Sequence, residues 1–245
     1  MKIHVINTGN FKLDGGAMFG VVPKSIWSKT NPPDENNMCS WAMRCLLIED
    51  ENKKILIDTG IGNKQSEKFF QYFYLHGKES LLKSLQTINI SPCEITDVFF
   101  THLHFDHCGG AVIQDNGEYK LLFKNANHLT NKIHWNLANN PNGREKASFL
   151  KENFQAIEDN NKLKFITEGY FNSNISVRFF HGHTAAQMIP IIEINDQKIV
   201  FMADLLPSIG HIPLPYIMGY DTQPLITLKE KDEFLKEAAQ KKYIL

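Results

Sequence analysis

The stretch Thr101-His102-Leu103-His104-Phe105-Asp106-His107-Cys108-Gly109-Gly110 constrains this chain more than any other. It follows the apolar run Val98-Phe99-Phe100, which predicts the end of a strand covered on both faces, because a short β-rich run bounded by turn residues suits a buried strand. Side chains at i and i+2 of an extended segment point the same way, so His102 and His104 can reach one point. Gly109 and Gly110 permit a tight turn or a close backbone approach that swings Asp106 and His107 toward a second point nearby. Left unpartnered beside a buried strand, four ionisable groups would cost several kcal/mol. Imidazole and carboxylate suit a divalent transition metal such as zinc, and four such groups are too many for one tetrahedral site that keeps a water. The spacing asks for two metals.

The remainder of the chain sets the context. At 245 residues it can bury a large core, and the expectation is one domain over 1–245. Lys+Arg of 26 against Asp+Glu of 27 gives a net charge of −1 and no electrostatic case for a nucleic-acid partner. No apolar stretch approaches the roughly 20 residues of a membrane helix, so no membrane partner is expected. Met1-Lys2-Ile3-His4-Val5-Ile6 reads as a first strand rather than a signal peptide. Cys39, Cys45, Cys93 and Cys108 lack CxxC spacing and suggest reduced thiols in a cytoplasmic protein. Cys108 lies beside the cluster, but its neighbours already fill the metal sites.

Strands are expected at 2–8, 41–49 and 53–58, the last two forming a hairpin through Asp50-Glu51-Asn52. Helices are expected near 66–75, 78–87 (with Leu81, Leu82 and Leu85 on one stripe), 144–158 and 229–241. Further strands are expected near 176–181, 188–194 and 197–203. Mixed strands with interspersed helices indicate an α/β (α+β) fold, a sandwich of two mixed sheets flanked by helices. Asp58 ends the strand Ile55-Leu56-Ile57, where its carboxylate can hydrogen-bond the metal-binding loop and orient a ligand imidazole. It is also an ordinary turn former before Thr59-Gly60.

His102-x-His104-x-Asp106-His107 followed by two glycines resembles the signature of metallo-β-lactamase-fold hydrolases. Three further segments appear in the expected order: Ile55-Leu56-Ile57-Asp58-Thr59-Gly60, Gly182-His183-Thr184 and Val200-Phe201-Met202-Ala203-Asp204. The resemblance spans nearly the whole chain and implies the αββα sandwich of that family. It implies that His102, His104 and His183 hold one metal, that Asp106 and His107 hold a second, and that Asp204 bridges both. The family's last ligand, a histidine after the closing strand, has no counterpart before Tyr243-Ile244-Leu245, so the expectation is a domain cut short within that strand, with His211 the first candidate substitute.

Metal-bound water has a pKa of roughly 7, so the expected chemistry is hydrolysis by hydroxide held between two divalent ions, zinc by ligand type, with manganese or iron able to share the same ligands. Asp204 sets the ion pair, and Asp106 can accept a proton during turnover. The resemblance is to acyl-homoserine-lactone lactonases and organophosphate hydrolases, which implies a lactone or related small carboxylic ester as substrate. The alternatives are a phosphotriester or phosphodiester hydrolase, and a non-catalytic binding protein with an incomplete metal site. For the pocket, Leu13–Gly20 is a glycine-rich turn that lays Met18 and Phe19 near the site or makes an ordinary hairpin. His134-Trp135 with Pro141–Arg144 reads as a lid, and His211–Tyr216 as an apolar wall that places the Tyr216 phenol or as a surface loop. Trp27 and Trp41 read as core, with pocket walls the alternative.

Overall fold

The apolar run that precedes the histidines lies between two parallel neighbours, and this is why it is apolar throughout. The computed structural model describes residues 1–245. Its strands are β1 (Lys2–Asp14), β2 (Met38–Asp50), β3 (Lys53–Ile57), β4 (Asp97–Phe99), β5 (Val112–Asp115), β6 (Glu118–Leu121), β7 (Asn127–Thr130), β8 (Leu163–Phe165), β9 (Gly169–Tyr170), β10 (Ile175–Phe180), β11 (Gln187–Ile194) and β12 (Gln197–Val200). Its helices are α1 (Gly15–Phe19), α2 (Lys24–Trp27), α3 (Glu67–Phe70), α4 (Leu81–Thr87), α5 (Phe105–Cys108), α6 (Lys132–Asn139), α7 (Gln155–Asp159) and α8 (Pro224–Lys241). The chain divides into two units, Met1–Phe11 with Ala42–Ile166, and Lys12–Trp41 with Thr167–Leu245.

A six-stranded sheet has the order β1-β2-β3-β4-β7-β8. Strands β3, β4, β7 and β8 run parallel, with Ile57, Phe99 and Leu129 level with one another. The chain therefore leaves β3 and β4 at the same edge, where parallel sheets place their functional loops. Asp58 N–H donates to Phe99 O at 2.9 Å, which ties the two exits together. At the other end, buried Asp97 accepts from Lys53 Nζ and Asn127 Nδ2, both at 3.1 Å and both from the neighbouring strands. Leu47, Leu56, Val98, Phe100, Phe123, Trp135 and Phe154 belong to the core of this unit. Strands β5 and β6 form a separate hairpin over Asn116-Gly117, both at positive φ (50° and 83°), as the type I′ turn requires.

The second unit holds a four-stranded antiparallel sheet, β12-β11-β10-β9. Asn195 and Asp196, at φ 49° and 61°, close the β11–β12 hairpin. Phe180, Ile189, Ile191, Val200 and Met202 pack with Phe234 and Ala238 of α8. Ile244 makes a parallel bridge to Ile199, consistent with the expected strand-like character of Tyr243–Leu245.

Several expected elements differ. The helix expected over 144–158 is reduced to α7, preceded by a 3₁₀ turn at Lys151–Asn153. Ser148 O accepts Phe105 N–H at 3.0 Å, and Asn142 Oδ1 accepts Arg144 N–H and Glu145 N–H, so this backbone serves the neighbouring loop and a local turn instead of a helical ladder. The expected 66–75 helix is a single turn, α3. In α4 only Leu81 and Leu85 are buried, and Leu82 faces outward. Strand β12 stops at Val200, and α8 begins at Pro224, five residues before the expected start, with the proline where it is best tolerated. All four cysteines are free thiols. No helix is long and apolar enough to cross a membrane.

His128 of β7 is inaccessible to solvent, and burial pushes its pKa down to about 4. The nearby Lys162 acts in the same direction, and the Ala126 backbone opposes it. The folded protein thus keeps His128 neutral while the unfolded chain protonates it near pH 6.5, so stability falls as pH drops from about 6.5 toward 4. Urea unfolding at pH 7.5 and pH 5 is expected to show about 2 kcal/mol more acid destabilisation in the native chain than in His128→Leu. Equal pH dependence in the two proteins would show that His128 charges freely in the fold.

Candidate metal centre

After β4 the chain runs through Thr101–His104 into α5, the short helix that carries Asp106 and His107. The i, i+2 relation holds: the His102 and His104 rings lie with centroids 4.5 Å apart, and the His107 ring is 4.0 Å from that of His102. His102 and His104 are buried, at 0% and 8% exposure. The two glycines act by close approach. A Cβ on Gly109 would meet Ile61 O at 2.2 Å, and one on Gly110 would meet Thr59 O at 2.2 Å. This fit lets His107 O accept from Thr59 N–H at 2.7 Å and Gly60 O accept from Gly110 N–H at 3.0 Å, seating the histidine loop on the loop after β3.

Asp58 sits at the junction, at φ 58° and 2% exposed. Its carboxylate accepts from Thr101 N–H, from Thr101 Oγ1–H and from His107 Nδ1–H, each at 2.8 Å. Because Thr101 Oγ1 donates to Asp58, it can accept the Nδ1–H of His102, 3.1 Å away. One carboxylate therefore sets two tautomers, placing the lone pairs of His102 and His107 on Nε2. Glu145, 4% exposed, places Oε1 3.7 Å from His104 Nε2, a charged neighbour that sequence reasoning did not single out.

In the second unit His183 lies on the loop between β10 and β11, 4% exposed. A Cβ on Gly182 would meet Thr227 Oγ1 at 2.2 Å, so only glycine lets this loop lie against α8. Glu230 accepts from His181 N–H (2.8 Å) and Gly182 N–H (3.0 Å), and His183 O accepts Thr222 N–H at 3.1 Å. Buried Asp221 takes the Nδ1–H of His183 at 2.9 Å, which places that lone pair on Nε2 as well. Asp204, half-buried after β12, brings Oδ2 to 3.3 Å from His183 Nε2. Asp221 is 38 residues from its histidine, and nothing local in the sequence marks it.

The donor set fits a zinc-type ion. Two ligand atoms each about 2.0–2.2 Å from one tetrahedral ion stand roughly 3.4 Å apart. His183 Nε2 and Asp204 Oδ2 are 3.3 Å apart, and His107 Nε2 and Asp106 Oδ2 are 3.6 Å apart. A nitrogen lone pair facing a carboxylate oxygen at that distance is repulsive without a cation between them. The carboxylates behind the rings are the partners that fix and strengthen metal-binding imidazoles.

Other expected site residues are placed differently. Phe19 is at 0% exposure, stacked on Trp27 (5.2 Å) and on His211 (4.4 Å), so it is core and not a pocket wall. His134 is also at 0%. Its Nε2 accepts Leu103 N–H at 2.8 Å, so it holds the backbone between His102 and His104 rather than facing open space. Tyr216 keeps partial exposure and meets the Phe19 ring edge-on at 6.2 Å. His211, the expected substitute ligand, has both ring nitrogens engaged: Nε2–H donates to Met18 O and Nδ1 accepts from Ser208 Oγ, both at 2.8 Å. Cys108 is a core thiol directed at Leu103 O (3.3 Å), and burial pushes its pKa well up. Trp27 and Trp41 are buried, as expected. Phe105, inside the histidine loop, meets Phe69 at 5.3 Å and Phe73 at 4.8 Å, a half-buried aromatic face that the sequence did not suggest.

Comparison with known proteins follows the same lines. The sequence matches the model of the metallo-beta-lactamase superfamily over residues 44–245. An N-acyl homoserine lactonase of Bacillus cereus is 23% identical over 212 residues, covering 82% of this chain and 74% of the relative. The fold superposes on a probable metal-dependent hydrolase from Staphylococcus aureus with a TM-score of 0.92 and 33% identity, covering 99% of this chain and 86% of that one. AidC, a dizinc quorum-quenching lactonase solved with a product, N-hexanoyl-L-homoserine, superposes with a TM-score of 0.80 and 25% identity, covering 98% of this chain and 84% of that one.

Proposed function

The chain belongs to the metallo-β-lactamase superfamily of metal-dependent hydrolases, and from that premise we propose that it opens the ring of acyl-homoserine-type lactones at a two-zinc centre. His102, His104 and His183 hold one ion in this proposal, Asp106 and His107 the other, and Asp204 both. The observation that carries it is the pair of oriented imidazoles, His107 and His183, each with its lone pair turned to a carboxylate oxygen at ligand spacing (3.6 and 3.3 Å) and a second carboxylate behind it. When bound, the two ions supply hydroxide at neutral pH and draw charge from the ester carbonyl.

The chain's own groups do the rest. Asp58 and Asp221 keep the ligand rings in the right tautomer through the cycle. Hydrolysis joins a water oxygen to the carbonyl carbon and breaks the ring C–O bond, so one proton must pass from the water to the departing alkoxide. Asp106 is half-buried in the histidine loop and carries that proton at its carboxylate. Phe69, Phe73 and Phe105 offer an apolar face beside this loop, suited to an acyl tail and poorly suited to a polyanion. The likeness to lactonases supports the ester over the phosphoester. Zinc-loaded protein is expected to open N-hexanoyl-homoserine lactone at a kcat/KM at least about 100-fold above that for an aryl phosphotriester. The reverse ratio would move the chain to phosphoester chemistry.

A further inference from the structure

The buried stripe of α8 is Thr227, Lys231, Phe234 and Ala238, at i, i+4, i+7 and i+11. A lysine in the middle of such a stripe breaks the apolar pattern that a core-facing helix requires. Lys231 is 1% exposed, yet its ammonium has a full set of partners: His211 O at 2.9 Å, Pro213 O at 3.1 Å and Tyr216 O at 2.9 Å. Three N–H donors meet three carbonyls, which is all an ammonium can offer. All three carbonyls belong to one irregular segment, 211–216, which runs from a 3₁₀ turn to the half-exposed Tyr216. Two prolines in that segment have no N–H, so a sheet or helix ladder cannot organise it.

The same segment is anchored at its start by the His211 ring, bonded to Met18 O and stacked on Phe19. At its Tyr216 end the ring meets Phe19 edge-on and the backbone N–H turns back onto Pro213 O at 3.0 Å, and the ammonium is the group that joins this end to the His211 end. Burial lowers the pKa of Lys231 to about 8 and the charge of Asp221 opposes that shift, so the group is largely protonated at neutral pH. Neighbouring Glu230 is engaged with the backbone of the His183 loop. Consecutive residues of α8 therefore grip two different loops.

We propose that Lys231 is a positioning residue: its ammonium closes the 211–216 segment on three carbonyls and so presents Tyr216 as a wall of the substrate pocket. This rests on the proposed function for the role of Tyr216, but the clamp itself does not. Lys231→Met keeps the stem and removes the charge. Lys231→Arg keeps the charge on a planar fork that cannot point three donors at carbonyls arranged around an ammonium.

The test compares amide hydrogen exchange of 209–220, bound zinc, and kcat and KM for N-hexanoyl-homoserine lactone in the native chain and both variants. In Lys231→Met, exchange in 209–220 is expected to rise at least about tenfold, with KM up about fivefold or more, kcat within about threefold and zinc content unchanged. Lys231→Arg is expected to fall between the two, and it carries the test alone where Lys231→Met does not fold. Unchanged exchange in every variant that folds would overturn the clamp. Faster exchange with unmoved KM, or with kcat and zinc lost together, would overturn the positioning role. Faster exchange in a chain whose native form opens no lactone would instead remove the proposed substrate and leave the clamp standing.

Discussion

Asp204→Ala is expected to lower lactone hydrolysis by about 10³-fold or more, equivalent to roughly 4 kcal/mol of lost transition-state stabilisation. The carboxylate is half-buried and faces the lone-pair nitrogen of His183 at 3.3 Å, so in the proposed two-zinc site its removal would take away both a ligand oxygen and the charge that offsets two cations. Asp204→Asn keeps the shape and loses the charge, and it is expected to be badly impaired as well. Its backbone N–H donates to Gln187 Oε1 at 3.3 Å in a 3₁₀ turn that neither substitution disturbs, so the variants should fold. Steady-state kinetics without added excess metal checks this. Activity within about tenfold of the native chain would reduce Asp204 to a residue at a strand end.

Asp58→Ala is expected to damage the fold and the site together. Three buried donors lose their acceptor, namely Thr101 N–H, Thr101 Oγ1–H and His107 Nδ1–H. Each unpaired donor costs about 1–3 kcal/mol, and alanine at a left-handed φ adds about 1 kcal/mol, so a total loss of about 4 kcal/mol or more is expected. Asp58→Asn tolerates that backbone but turns an amide N–H₂ toward donors. It should fold, with zinc affinity weakened about 10–100-fold as the tautomers of His102 and His107 relax. Urea unfolding measures the first loss and zinc titration the second. Native-like zinc affinity in Asp58→Asn would mean that the carboxylate only closes a turn.

The histidine loop is legible in the sequence because its geometry is local. Two-residue alternation brings His102 to His104, and the glycines announce a close approach that the structure places against Thr59 and Ile61. Asp58 is legible because it closes an apolar strand, whereas Asp221 and Glu145 reach their histidines only through tertiary structure. His211 looks available as a residue type, yet two hydrogen bonds and an aromatic stack occupy it. Lys231 reads as one more solvated lysine until three carbonyls are found around it. The 144–158 helix fails for a physical reason: its apolar spacing is real, with Phe149, Phe154 and Ile157 buried, but Ser148 O is spent on Phe105 N–H. Asn116-Gly117 is the opposite case, a strong hairpin signal that the reading of longer elements passes over.

The most direct test of the central claim is the rate of N-hexanoyl-homoserine lactone opening as a function of zinc bound per chain, starting from protein stripped with a chelator. The account predicts negligible opening without metal and recovery as bound zinc approaches about two per chain. Ring opening at full rate by verified metal-free protein, or none with both ions bound, would contradict it.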